Sequence, residues 1–296
     1  MNYVSTYYKI LRALALSFVY LSILLPSLQD AIDAAADGDT LYVDDTFISE
    51  QISIDKPLTI VGNSTIIEVL GSYGVLISSD DVDLSGFVIM MSDQALYGIF
   101  GISGLSDVSI HDNTITSYNL EARGDYGIYF QKNMVDNSVN AEDISIYGNT
   151  IYNLSSSGIY IGSTGTGIEI ADNNIYSIND SDSGSSISLE MIDNFSISSN
   201  TLAKSDIGIE LLSSSGIVSG NSFMYEIDPI IVQTFDSDIS FDMVSYFVLI
   251  SGDSSDQDYR RIYRSLNDTI ADYDEGDSIF MYEDGNETQI TKDCAG

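Results

Sequence analysis

Apolar and polar residues alternate over short stretches of this chain, and the stretches themselves repeat. The frame apolar-x-apolar-x-x-Asn-small-apolar occurs at Leu58 to Asn63, Val108 to Asn113 and Ile144 to Asn149. It returns at Ile168 to Asn173, Phe195 to Asn200 and Gly216 to Asn221. Val82 to Phe87 fits the same frame with Phe87 almost in register. Successive anchors lie mostly 21 to 27 residues apart, and the Asn113 to Asn149 interval of 36 residues carries a longer loop.

Two further alternating segments accompany each anchor. One is built on Gly-Ile-x-Ile, as at Tyr97 to Phe100, Tyr126 to Phe130, Gly158 to Ile161 and Ile207 to Leu211, with Ser186 to Glu190 in the equivalent place. The other follows the Asn directly, as at Thr114 to Thr116, Thr150 to Tyr152, Asn174 to Tyr176, Thr201 to Ala203 and Ser222 to Met224. A period of two means a strand with one buried face. Three such strands per repeat predict an all-β fold, a right-handed parallel β-helix of about seven to eight coils. Equivalent residues then stack about 4.8 Å apart. A buried Asn in every coil must pair its amide, which predicts a ladder of Asn63, Asn113, Asn149, Asn173, Asn200 and Asn221. The Gly or Asp before most of these asparagines suits a tight bend.

A one-dimensional stack needs ends. Ser27 to Asp37 reads as a short amphipathic helix with Leu28, Ile32 and Ala35 on one face, placed to cap the first coil. Residues 256–296 lose the repeat, hold the basic cluster Arg260, Arg261 and Arg264, and read as a C-terminal cap or tail. Residues 1–26 carry Lys9 and Arg12 before a 13-residue apolar run, Ala13 to Leu25. That is the form of an export signal, retained as an anchor if uncleaved. The division is therefore 1–26 signal peptide or N-terminal membrane anchor, 27–255 parallel β-helix with its cap, and 256–296 tail.

Composition adds an acidic coat. The 296 residues hold 45 Asp and Glu against 10 Lys and Arg, a formal charge of -35. Nucleic acid is excluded as a partner, because its binding needs a basic patch. Polyanionic sugars and anionic membranes are repelled as well. A membrane is met only through the N-terminal apolar segment. Cys294 is the single cysteine, so no disulfide framework or thiolate metal cluster exists.

Leu28 to Val43 and its continuation Ile52 to Gly62 resemble the opening of right-handed β-helix proteins of the NosD-like, pectin-lyase-like set found on archaeal and bacterial surfaces. The resemblance covers roughly residues 28 to 250 and is specific for fold rather than activity. It implies a surface protein whose outward strand faces meet polysaccharide. The Gly-His-Gly motif of family polygalacturonases and the Asp-Pro-His motif of epimerases are both absent. The arginine base of family lyases has one candidate within the repeats, Arg123.

Three constellations remain. His111, beside Asp112, together with Arg123 and Asp125 supplies a base, an acid and a cation for elimination or hydrolysis, or else an exposed histidine and a loop ion pair. The acids Asp107, Asp143 and Glu169 fall on successive turns and are the one candidate for calcium, although no Gly-Gly-x-Gly-x-Asp repeat supports it, and no other cofactor is implied. The outward tyrosines Tyr129, Tyr147 and Tyr160, with Tyr152 and Tyr176, are a sugar-stacking surface or simply good strand residues. Of six Asn-x-Ser/Thr sequons, Asn153, Asn179, Asn194, Asn267 and Asn286 are accessible to glycosylation, whereas Asn63 is assigned to the ladder.

The expectation is an exported, non-catalytic cell-surface solenoid contacting carbohydrate or envelope components. The alternative is a polysaccharide lyase or glycoside hydrolase on an outward face. The charge carries its own test. The thermal midpoint should rise from low to molar salt, as the screening length shrinks from about 10 Å to about 3 Å. A midpoint flat across that range would show that carboxylate repulsion does not limit stability.

Overall fold

A computed structural model describes residues 27–119, 123–132, 141–178, 184–224, 228–233, 239–241, 245–250, 259–263, 269–270, 273, 277–283 and 286–290. The apolar segment Ala13 to Leu25, Arg264, Cys294 and the sequons at Asn179 and Asn267 lie outside these residues. The chain divides into two units, residues 1–36 and 37–296.

In the first unit, Leu28–Ala34 is helical because Ser27 and Asp30 close a capping box. The Ser27 hydroxyl accepts from the Asp30 N–H, and Asp30 accepts from the Ser27 N–H, each at 3.1 Å. Leu28 and Ile32 are buried, and the helix stops at Ala35, earlier than Gly38 where the sequence suggested. Among the described residues, no helix is long and apolar enough to cross a membrane.

The second unit is a parallel β-solenoid of about seven turns. Face A is built from Asp39–Val43, the first halves of Leu58–Val69 and Val82–Met91, then Ser106–His111, Ala141–Tyr147, Glu169–Ala171, Phe195–Ser198, Gly216–Ser219 and Ile239–Phe241. Face B takes Phe47–Ile48, the second halves of the two long strands, Thr114–Ser117, Thr150–Leu154, Asn174–Ile178, Thr201–Ala203 and Ser222–Met224. Face C takes Ile52–Ile54, Tyr73–Ile77, Tyr97–Gly101, Tyr126–Phe130, Ser157–Thr166, Ser185–Asp193, Ile207–Leu212 and Asp228–Gln233.

Residues stack on their equivalents, so the core is a set of columns. Ile60, Leu84, Ile110, Ile146, Ile170 and Ile197 form one behind face A, all buried. Ile67, Ile89, Ile115, Ile151, Ile175 and Leu202 form another, and Val75, Ile99, Ile128, Ile159, Ile187 and Ile209 a third. Each such side chain contributes about 1.5–3 kcal/mol of burial. The Gly of Gly-Ile-x-Ile is dictated by this packing. A Cβ on Gly98 would lie 2.7 Å from the Gly127 carbonyl and 2.8 Å from Ile115 Cγ2. Only hydrogen fits between face B's isoleucines and the next coil.

Between faces A and B runs the asparagine ladder. Asn149 is typical: its Nδ2 donates to Ile110 O at 2.9 Å, one coil back, and to Asn173 Oδ1 at 3.0 Å, one coil forward. Its backbone N–H also donates to Asn173 Oδ1, at 3.0 Å. Asn113, Asn173 and Asn200 share this pattern, Asn221 accepts from Asn200 and donates to Ile197 O at 2.9 Å, and all four are buried. The residue before each is left-handed, at φ 53° for Asp112, 65° for Gly148 and 56° for Asp172. This rotates the chain through the corner.

Asn63 stands outside the ladder, contrary to the sequence reading. Val61 pairs with Ser85 and Thr65 with Phe87, so residues 62–64 bulge out opposite Gly86. Asn63 is exposed on this bulge, which also makes its sequon accessible. Thr65 takes the buried place and donates to Asp45 O at 2.6 Å. In the next coil Phe87 occupies it, its N–H donating to Asn113 Oδ1 at 3.0 Å.

At the far end, Asp228–Gln233 is followed by antiparallel pairing with Tyr259–Tyr263. That strand pairs with Ser245–Ile250, then Ser278–Glu283 and Asn286–Ile290 continue the set. Among the described residues, the last parallel pairing is that of Gly216–Ser219 with Ile239–Phe241. Arg260 and Arg261 lie within the first antiparallel strand.

The ladder predicts a sharp contrast between two asparagines. Asn173→Ala, which strands donors of Asn149, should cost about 2–4 kcal/mol and loosen amide hydrogen exchange in flanking coils. Asn63→Ala should change stability by less than about 0.5 kcal/mol. Equal effects in chemical denaturation and exchange would contradict the ladder's role.

Candidate functional site

The outward positions of the three faces are also columns, and aromatic residues concentrate in those of face C. Leu76, Phe100, Tyr129, Tyr160, Ser188 and Glu210 share one register, and Tyr73, Tyr97 and Tyr126 share another at the start of the same strands. Five rings interlock there. Ring centroids are 4.9 Å apart for Tyr129 and Tyr160, 5.9 Å for Phe100 and Tyr129, and 5.8 Å for Tyr97 and Tyr126. Tyr97 bridges the rows, 4.8 Å from Phe100 and 4.6 Å from Tyr129, and Tyr126 lies 4.9 Å from Tyr129.

All five rings are half-exposed. Tyr129 and Tyr160 are nearly parallel, 11° apart, with centroids farther apart than the ~3.5–4 Å of touching carbon planes. They overlap like roof tiles, and each leaves part of its ring uncovered.

The row ends in a polar group. Tyr160 Oη donates to Glu190 Oε2 at 2.8 Å, Lys132 is ion-paired with Glu190, and Ser188 Oγ donates to Glu210 Oε2 at 2.9 Å. Tyr160 reaches Glu190 across Gly162, which is in register with Glu190. A Cβ at Gly162 would collide with the Tyr160 hydroxyl.

The two carboxylates are shifted in opposite directions. Burial raises Glu210, the charge of Glu190 adds to this, and the Ser188 hydrogen bond opposes it. Burial acts on Glu190 in the same direction, but hydrogen bonds from Lys132 and Tyr160 and the Lys132 charge outweigh it and hold Glu190 low. Three of the phenols are pushed up. Burial raises Tyr97, with Asp125 adding. Burial, then Tyr97, Tyr126 and Glu190, carries Tyr129 to about 12. Burial and the bond to Glu190 raise Tyr160 further. The rim of the row is thus a line of protonated hydroxyl donors at neutral pH.

The residues singled out from sequence are distributed over separate faces. Tyr129 and Tyr160 meet in this row, whereas Tyr147 lies on face A. There it stacks on His111 at 4.6 Å and 4°. Tyr152 and Tyr176 stack on face B at 4.8 Å. His111 does not join Arg123 and Asp125. Its Nδ1 is 2.8 Å from Asp112 Oδ2 and its Nε2 3.2 Å from Asp83 Oδ1, so carboxylates occupy both nitrogens. Asp125 lies beyond the other end of Thr114–Ser117, where it accepts from Ser155 Oγ at 2.9 Å. That strand's four residues at about 3.3 Å each keep the two apart. Half-buried Arg123 sits on the Asp125 side.

Asp107 and Asp143 are left-handed corner residues, while Glu169 lies on the outward column of Ser109 and Ser145. The three acids form no single column. Among the described residues, no group of three metal-ligating side chains occurs.

Fold and site together define a parallel β-solenoid with an outward aromatic row closed by a Tyr-Glu-Lys group. Comparison with protein-family models, with curated proteins and with solved structures finds no match to this chain.

The raised phenols give a pH test. A raised folded value means the stabilisation is complete below pH 10 and is lost as pH climbs toward about 12. Native protein at about pH 11 should show less phenolate absorbance than the unfolded chain, and Tyr129→Phe should reduce that deficit. Coincident native and unfolded titrations would refute the buried environment of Tyr129.

Proposed function

We propose that this is an exported cell-surface solenoid of the NosD-like, pectin-lyase-like kind, which contacts carbohydrate through face C without transforming it. One observation carries the reading: five rings join on one outward face beside hydrogen-bonding groups. Sugars bind where ring surface meets their C–H faces and polar groups meet their hydroxyls, and tyrosine supplies both. The basic residues and 13-residue apolar run within residues 1–26, read as an export signal, support a surface location. The charge of -35 favours an uncharged glycan over a polyuronate.

The opposed environments of Glu190 and Glu210 favour a second reading, glycoside hydrolysis. One carboxylate held ionised and one biased toward the acid form are the two roles such chemistry needs.

One experiment weighs both: an array of neutral and uronate polysaccharides, followed by titration and product analysis on any that bind. A neutral glycan should bind, with affinity unchanged from about 0.05 to 1 M salt. Tyr129→Ala should weaken it about tenfold, or 1.4 kcal/mol, while Tyr152→Ala on face B should not alter it. Loss of affinity in Tyr152→Ala but not Tyr129→Ala would move the site off face C. Turnover that disappears in Glu210→Gln would replace binding by hydrolysis.

A further inference from the structure

The register of face C fixes more than the presence of a sugar-contacting surface. Resting on the carbohydrate-contacting reading, we propose that the ligand is an extended, uncharged, β-linked polysaccharide lying parallel to the solenoid axis, one sugar unit to each coil.

Direction comes from the way the rings are arranged. Phe100, Tyr129 and Tyr160 are not neighbours along one strand but register partners on three successive strands. The row therefore runs across the strands, along the axis, and a ligand following a strand would meet only one ring of it. Ser188 and Glu210 continue the same register over the next two coils.

Spacing comes from the sheet. The Tyr129 and Tyr160 centroids are 4.9 Å apart and the Phe100 and Tyr129 centroids 5.9 Å, while the strands that carry them are set at a step of about 4.8 Å. It is close to the rise per unit of an extended β-linked pyranose chain. An extended β-1,4-linked glucose chain meets one rung at each unit, with rings at Phe100, Tyr129 and Tyr160 and polar groups at Ser188 and Glu210. An α-1,4-linked glucose chain, which coils, drifts out of step after one or two.

Polarity comes from the two ends. The row begins on apolar Leu76 and Phe100 and finishes at the hydrogen-bonding set of Tyr160, Glu190, Lys132, Ser188 and Glu210. Ring contact holds the chain at one end, and hydroxyl recognition fixes it at the other. The ligand is therefore bound in one direction. The surrounding acidic surface disfavours anionic units anywhere along the row.

The test is calorimetric titration of the whole protein with β-1,4-linked glucose oligomers of two to six units and with α-1,4-linked oligomers of the same lengths. Affinity for the β series should rise about threefold or more per added unit, then level off once the rungs from Phe100 to Glu210 are covered. The α series should gain little beyond two units. Phe100→Ala should bring the plateau about one unit earlier. A dimer as tight as the hexamer would overturn axial binding while leaving face C a sugar-contacting surface, provided that Tyr129→Ala still weakens it. Equal gains in the α series would overturn the one-unit-per-coil match. Absence of binding by every oligomer, and by the wider polysaccharide array, would sink the carbohydrate reading itself.

Discussion

The structure depends on pairing the polar atoms that a solenoid must bury at its corner. Each turn from face A to face B carries backbone amides inward, away from water, where an unpaired donor costs about 1–3 kcal/mol. Asparagine meets this need because one side chain offers both an acceptor and two donors. Asn149 spans three coils, giving to Ile110 and receiving the backbone N–H of Asn113 while holding Asn173. Every ladder member thus locks its neighbours in register. The isoleucine columns and the outward rows inherit that register.

The ladder was legible in sequence because an asparagine between apolar residues at a fixed interval has little other reason to exist. The error at Asn63 is instructive. The pattern was anchored on the asparagine rather than on the parity of the buried residues after it. Ile67 is the register partner of Ile89, which pairs with Ile115. Counting back two from each gives Thr65, Phe87 and Asn113, not Asn63. The left-handed residue before the ladder position then falls on Ser64, at φ 59°.

The site was less legible because face and register are long-range facts. Sequence alternation places a tyrosine outside without saying on which of three faces. Tyr129, Tyr147 and Tyr160 therefore looked like one group, whereas Tyr147 belongs with His111. Lys132 and Glu190 are 58 residues apart, and no local pattern joins them. A signal did exist for Glu190. Aligning Gly158-Ile-Tyr-Ile-Gly162 with Ser186-Ile-Ser-Leu-Glu190 sets Glu190 beside the gap at Gly162. The C-terminal strands gave no signal, because antiparallel pairing does not require equal residues to stack.

The same stacking that repeats useful residues would also repeat charge. In a chain with a net charge of -35, acids on successive rungs of a column about 4.8 Å apart repel one another. Two columns show how this is reduced. On face A, Asp83 and Glu169 are separated by Ser109 and Ser145 in one outward register. At the ladder corner, Asp112 and Asp172 have Gly148 between them. In these two columns acids alternate with small neutral residues, whereas at the corner before face A Asp81, Asp107 and Asp143 fall on three successive coils. Glu190 and Glu210 also lie close enough for the charge of one to raise the other. Lys132 and Tyr160 compensate Glu190, and Ser188 supports Glu210. Three supporting side chains thus surround this carboxylate pair at the end of the aromatic row.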